Sequence, residues 1–383
     1  MKIILLLVLI KVISTRAADD SLSINTQQIA TNDDNSVKLC NNGLGECVSF
    51  YLCKNGSFLT DGSDILDIRI DDDDGCNDIF LTCCGSAEIS SKNQSPPGLN
   101  MINEKCGYRN KNGVGFQITG SRDNETEFGE FPFMLALLNE EKISDQVISV
   151  FQCGASLITE RVALTAAHCV FNKTFDYLKI RAGEWDTSTN KETFPYAEYK
   201  VQDIIIHENF NHANLRNDLA LLIIENTVKI AENVNTICLP PQDYKFEVGK
   251  KCFASGWGKN LFGREGKYQN ILKKIYVPLV SFEECQDKLR LTRLGKRFIL
   301  DNSFICAGDE NHDACKGDGG GPLFCEIDNF PGYYYQIGII SWGIGCNSAT
   351  PGVYVNVAHF RTWIDSQLQA RNLSKRGYII DNN

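Results

Sequence analysis

Cysteine is the strongest constraint on what this 383-residue chain can fold into: there are sixteen, an even number, and Cys40, Cys47, Cys53, Cys76, Cys83 and Cys84 crowd into residues 40–84. A segment that short cannot bury enough apolar surface to hold itself together, so disulfides must do it. Zinc competes poorly, because the spacings lack paired Cys-x-x-Cys knuckles and no histidine lies nearby. The sequence alone leaves many pairings open. Cysteine usage of this kind belongs to an oxidising compartment, and the N-terminus agrees. Met1 and Lys2 precede an uninterrupted apolar run over residues 3–10, which predicts a secretory signal peptide over 1–18, cleaved near Ala17 or Ala18. That run is too short to span a bilayer, and no other stretch is apolar enough, so the expectation is a soluble secreted protein. Asn-x-Ser/Thr sequons begin at Asn55, Asn93, Asn124, Asn172 and Asn372 as candidate glycosylation sites, with Pro96 close behind making the one at Asn93 the least suited.

A net charge of -10 with no basic stripe excludes nucleic acid as a partner class. The acidic run Asp71, Asp72, Asp73 and Asp74 reads as a solvated loop, with a calcium site as the alternative. Residues 19–39 are polar without apolar periodicity and predict disorder. Residues 85–117 read as a linker, with Ser95-Pro96-Pro97-Gly98 as punctuation. From residue 118 onward, short strand candidates at 133–138, 154–158, 178–182, 219–224 and 334–340 alternate with turn residues, the pattern of an all-β barrel fold. One helix closes the domain over 359–370, where Phe360, Trp363, Ile364 and Leu368 share a face. Residues 371–383 form a polar tail.

Three motifs carry the chemistry: Thr165-Ala166-Ala167-His168-Cys169, Asn217-Asp218-Leu219-Ala220-Leu221-Leu222, and Asp313-Ala314-Cys315-Lys316-Gly317-Asp318-Gly319-Gly320-Gly321-Pro322. The last is no nucleotide loop, since no Gly-Lys-Ser/Thr follows it. Together they resemble the chymotrypsin/trypsin-like serine proteases, and the spacing of residues 40–84, ending in adjacent Cys83 and Cys84, resembles the clip domain of arthropod immune and developmental proteases. The resemblance spans residues 40–370 and implies two packed six-stranded β-barrels over 118–370. It implies that His168 is the general base and Asp218 the group that orients it. Gly319 stands where the family keeps its nucleophilic serine, and glycine has no oxygen with which to form an acyl-enzyme. The backbone N–H groups of Gly317 and Gly319 would be the oxyanion donors. Asp313 matches the carboxylate of an Arg/Lys specificity pocket, with Ser341, Gly343 and Gly352 as its walls; an inherited, collapsed pocket is the competing view.

The family also implies the bridges Cys40–Cys83, Cys47–Cys76, Cys53–Cys84, Cys106–Cys238, Cys153–Cys169, Cys252–Cys325, Cys285–Cys306 and Cys315–Cys346, which leave no free thiol. Family enzymes mature by a cut after a basic residue, whose new ammonium pairs with the aspartate before the nucleophile. Here that junction is Gln117–Ile118, so Asp318 is expected to lack its partner and the site to be zymogen-like. Processing is expected instead after Arg69 in the clip, or in the linker at Lys92, Lys105, Arg109 or Lys111. The resemblance also offers calcium in the loop from Glu184 to Glu198, with Glu192 or Glu198 as second ligand, against the alternative of a solvated loop; no cofactor is required.

The resulting expectation is a secreted, non-catalytic clip-domain protease homologue of haemolymph. It would serve as cofactor or scaffold for clip-domain serine proteases and prophenoloxidase in melanisation, with oligomerisation after cleavage. Two alternatives stand beside it: a weak hydrolase using water activated by His168, and an adhesion or pattern-recognition protein for microbial surfaces.

Overall fold

The computed structural model describes residues 39–40, 45–49, 66–67, 81–85, 105–114, 118–119, 124–143, 146–189, 192, 194–258, 269–309, 319–344 and 350–380. Near the start of the chain, β1 (Leu39–Cys40), β2 (Gly45–Ser49) and a later strand, Leu81–Gly85, form a three-stranded antiparallel sheet. The intervening β3 (Leu66–Asp67) is not part of it. Numbering Leu81–Gly85 as β4, β3 pairs instead in parallel with β5 (Ile118–Thr119). Cys47 lies opposite Cys83 across β2 and β4. Cys40 and Cys47 are disulfide-bonded; Cys53, Cys76, Cys315 and Cys346 lie outside the described residues.

The rest is two closed six-stranded barrels. The first comprises β6 (Met134–Ile143), β7 (Gln146–Thr159), β8 (Val162–Thr165), β9 (Leu178–Ala182), β10 (Ala197–Ile206) and β11 (Ala220–Ile224), in the order β10-β11-β8-β7-β6-β9. The second comprises β12 (Lys251–Gly256), β13 (Lys273–Val280), β14 (Phe304–Ala307), β15 (Pro322–Ile327), β16 (Phe330–Trp342) and β17 (Gly352–Asn356), in the order β12-β13-β14-β17-β16-β15. Closure leaves no unpaired edge along either sheet. The strands expected from the sequence at 154–158, 178–182 and 334–340 lie within β7, β9 and β16, and those at 133–138 and 219–224 begin one residue before β6 and β11. The barrels meet through aromatic rings: Phe324 lies 4.8 Å from Phe131 and 5.0 Å from Phe133, both edge-on. A buried hydrogen bond from Ser156 Oγ to Gln336 Oε1, 2.6 Å, crosses between β7 and β16.

Three α-helices are found among the described residues. α1 (Ala167–Val170) follows β8 directly; α2 (Phe282–Arg290) is capped by Ser281, whose Oγ accepts the Glu284 N–H at 3.1 Å. α3 (Val357–Ala370) buries Phe360, Ile364 and Leu368, three residues at i, i+4 spacing, as the sequence pattern requires. The bridges Cys106–Cys238, Cys153–Cys169, Cys252–Cys325 and Cys285–Cys306 are formed.

Two boundaries differ from expectation. Residues 105–114 are not free linker but are docked on the barrels: Gly107 N–H donates to Thr236 O at 2.7 Å and Asn110 N–H to Glu130 O at 3.0 Å. Arg109 is held by the fully buried Glu130 carboxylate and lies 4.5 Å over the Phe253 ring, which removes it from the candidate cut sites. The tail is anchored as well. Tyr378 is fully buried, its hydroxyl donating to Asp365 Oδ1 at 2.7 Å, and Arg361 lies 4.8 Å over its ring. One aromatic in a polar stretch gave no periodicity to detect.

Candidate functional site

The three motifs converge where the barrels meet. α1 is a single helical turn issuing from β8, so His168 is fixed by the strand behind it and by the Cys153–Cys169 bridge. Asp218 precedes β11 and follows two non-glycine residues in left-handed conformation, Leu215 (φ 58°) and Asn217 (φ 55°). That turn is held by Asn217, whose Nδ2 donates to Asn209 O at 2.9 Å. The Asp218 side chain is fully buried. Its Oδ1 accepts the His168 backbone N–H at 2.7 Å, and its Oδ2 lies 2.7 Å from His168 Nδ1. A third donor is Ser341 Oγ, 2.6 Å from Oδ2. Three donors satisfy a carboxylate that would otherwise be too costly to bury. Beside the pocket-wall place expected for it, Ser341 gives its hydroxyl to Asp218. A serine beside Trp342 gives no sequence signal for that role.

Opposite the imidazole stands Gly319. A Cβ built there would lie 3.0 Å from His168 Nε2 and 3.5 Å from its Cε1. The backbone is therefore poised to aim a side chain at the base, and no side chain exists. At that separation the ring sits slightly inside the space a β-carbon would need. Gly319 O accepts the Gly154 N–H at 2.9 Å, which ties the loop to β7. The next glycine is obligatory: Gly320 has φ +79°, and a Cβ there would come within 2.3 Å of Thr165 Oγ1.

Asp313, Gly317 and Asp318 lie outside the described residues, so the pocket floor and one oxyanion donor are not placed. Gly343 faces open space, with nothing within 4 Å of a Cβ built on it, and Gly352 is buried at the start of β17. Ile118, the residue after the junction, pairs with the clip segment at Leu66. Arg69, Asn55 and Asn93 are outside the described residues. Asn124, Asn172 and Asn372 are exposed in left-handed backbone, φ 77°, 61° and 54°.

The three candidate calcium ligands divide. Glu198 is engaged by Arg181, 2.7 Å, and lies 3.6 Å from Lys179 Nζ. Glu184 accepts from Arg181 at 2.7 Å and from the Trp185 N–H at 3.1 Å. Glu192 is buried; its Oε1 accepts the Asp186 N–H at 2.8 Å, while Oε2 has no partner among the described residues. Burial, reinforced by the Glu184 and Asp186 charges, pushes the Glu192 carboxyl up to about 8. An orphaned, buried carboxylate oxygen beside a second acid fits a hard cation.

Comparison with known proteins is consistent with this geometry. Residues 120–364 match the family described as Trypsin, and residues 34–85 match the domain described as Serine protease Clip domain PPAF-2. The chain belongs to the trypsin family. Among its trypsin-family relatives, Phenoloxidase-activating factor 2 of Galleria mellonella is 49% identical over 290 residues, covering 74% of this chain and 95% of that protein. Inactive CLIP domain-containing serine protease A28 of Anopheles gambiae is 37% identical over 359 residues, 86% and 90% of the two chains. Inactive CLIP domain-containing serine protease A8 of Anopheles gambiae is 34% identical over 331 residues, 85% and 89%. The trypsin-family barrels thus bring Asp218 into hydrogen-bond contact with His168 and place Gly319 opposite the imidazole.

Proposed function

We propose that this protein is a secreted, non-catalytic cofactor of an arthropod prophenoloxidase-activating cascade, acting in haemolymph by binding a clip-domain serine protease and prophenoloxidase. The observation that carries the reading is Gly319 facing His168 Nε2 with no atom between backbone and base. An intact His168–Asp218–Ser341 chain with nothing to deprotonate has a structural use only, so the activity resides in surface complementarity. The similarity to a phenoloxidase-activating factor and to inactive clip-domain proteases supports it. Gln117, which offers no charge to a trypsin-like activator at the junction, supports a zymogen-like site.

Processing is proposed after Arg69, two residues beyond β3; N-terminal sequencing after digestion by a clip protease should give a new terminus at Ile70. Calcium is proposed at Glu192, whose Oε2 has no partner among the described residues, with Glu184 as the second acid sharing its charge between the ion and Arg181, while Glu198 is held by both Arg181 and Lys179. The functional test is reconstitution. Purified prophenoloxidase and an activating clip protease should yield phenoloxidase activity that rises when this protein is added, equally for wild type and His168→Ala. Turnover of an arginyl amide by the protein alone, abolished in His168→Ala, would replace the cofactor reading with a hydrolase using activated water.

A further inference from the structure

After α2 the chain runs through Leu291-Thr292-Arg293-Leu294-Gly295-Lys296-Arg297-Phe298-Ile299. In a chain of net charge -10, residues 288–299 hold five basic residues and no acid. Lys288 and Arg290 are taken up by Glu284 and Asp287 on the same helix. Arg293, Lys296 and Arg297 are exposed and form no ion pair among the described residues. Between these cations stand three exposed aliphatic side chains, Leu291 (86% exposed), Ile299 (66%) and Leu294 (38%).

This loop is built rather than loose. Arg290 Nε donates to Phe298 O at 2.9 Å, Leu300 N–H to Gln286 Oε1 at 3.1 Å, and Thr292 Oγ to Leu289 O at 2.6 Å. Gly295, φ +78°, makes the turn. Phe298 is tucked inward, edge-on to Trp342 at 6.2 Å, beside the pocket wall. A pre-shaped surface loses little freedom on binding. Three unpaired cations and three solvated aliphatics on one fixed loop leave two kinds of unmet contact at once.

We propose that residues 291–299 form a docking surface for an acidic peptide segment of a partner protein, one in which Asp or Glu alternates with large aliphatic or aromatic side chains. Charge complementarity selects the acids, since every unpaired group on the loop is positive. The interleaved Leu291, Leu294 and Ile299 select a peptide over a sulfated polysaccharide, which has no apolar groups to cover them. The net charge of -10 on each copy opposes a second copy of this chain as occupant. The inference does not depend on the cascade role proposed above; it rests on exposure, charge and loop geometry alone.

The test is selection of a random-peptide phage library on the immobilised full chain, wild type against Arg293→Glu/Lys296→Glu/Arg297→Glu and against Leu291→Ser. Recovered peptides should combine acidic with aliphatic or aromatic residues. The charge reversal should weaken them roughly tenfold or more, with affinity falling as salt rises. Leu291→Ser should weaken them by a smaller, measurable factor. A milder Arg293→Gln/Lys296→Gln/Arg297→Gln variant replaces the reversal if unfolding is altered. No recovered peptide, or binding indifferent to these substitutions, overturns the proposal. So does tighter binding of dextran sulfate that ignores Leu291→Ser, which makes the loop a polyanion site. Binding of a peptide spanning this chain's own residues 65–74, together with self-association lost in the same variants, would assign the surface to a second copy instead.

Discussion

Supplying the missing oxygen tests the site most directly. In Gly319→Ser the new Cβ starts 3.0 Å from His168 Nε2, a few tenths of an ångström inside ordinary contact. The His168 side chain is 28% exposed and held at Nδ1 by Asp218, so the ring can pivot about that hydrogen bond; the crowding should cost about 1 kcal/mol, the low end for overpacking. The variant should therefore fold, with serine and base in hydrogen-bond reach. Its activity should stay low on the proposed zymogen-like reading, in which the uncut Gln117–Ile118 bond leaves Asp318 without an ammonium partner. Each oxyanion donor left misaimed costs about 10²–10³ in kcat. Gly319→Ser with Gln117→Arg, after trypsin treatment, should exceed Gly319→Ser alone by at least about 10². The assay is arginyl-amide hydrolysis beside active-site labelling with a fluorophosphonate. Comparable rates from the single and the double variant would refute the claim that the junction, and not only the nucleophile, disables the site.

Removing the buried tyrosine ring in Tyr378→Ala should cost about 3–5 kcal/mol, roughly 2–4 °C of Tm per kcal/mol for a domain of this size. Truncation after Arg371 should match it, and Tyr378→Phe should lose only about 1 kcal/mol; an unchanged Tm on truncation refutes the anchoring role. Calcium should raise the wild-type Tm and EDTA lower it, with the response lost in Glu192→Gln and kept in Glu198→Gln. Burial holds the His207 imidazole below its usual pKa despite the opposing Glu208 charge. As pH falls from the unfolded value of about 6.5 through the lowered folded value, the unfolded state takes up a proton that the fold resists, so stability declines. Urea unfolding at neutral and acidic pH should show a smaller loss in His207→Gln.

Much of the domain could be read in the chain because its signals are local. β9 coincides with the expected run at 178–182, and Phe360, Ile364 and Leu368 announced α3 by spacing. The candidate site was legible because His168, Asp218 and Gly319 each sit inside a dense motif, and the fold brings them together. What escaped was long-range. Ser341 reaches Asp218 across 123 positions, Arg109 finds Glu130 through a docking that no pattern in a Lys- and Asn-rich stretch encodes, and Tyr378 is buried by a surface made elsewhere. Of the acids expected at the calcium loop, Arg181 holds both Glu184 and Glu198 while Glu192 keeps one carboxylate oxygen without a partner among the described residues, a difference no sequence pattern encodes.

The parallel pairing of Leu66–Asp67 with Ile118–Thr119 joins the clip segment to the stretch just ahead of the barrels by two residues of ladder. Parallel pairing is the weaker kind, and so short a contact belongs to the least stable end of a fold. It therefore acts as a latch rather than a girder. A partner that draws β3 away also releases Ile118, and by reciprocity anything that secures Ile118 elsewhere weakens the hold on β3 by the same free energy.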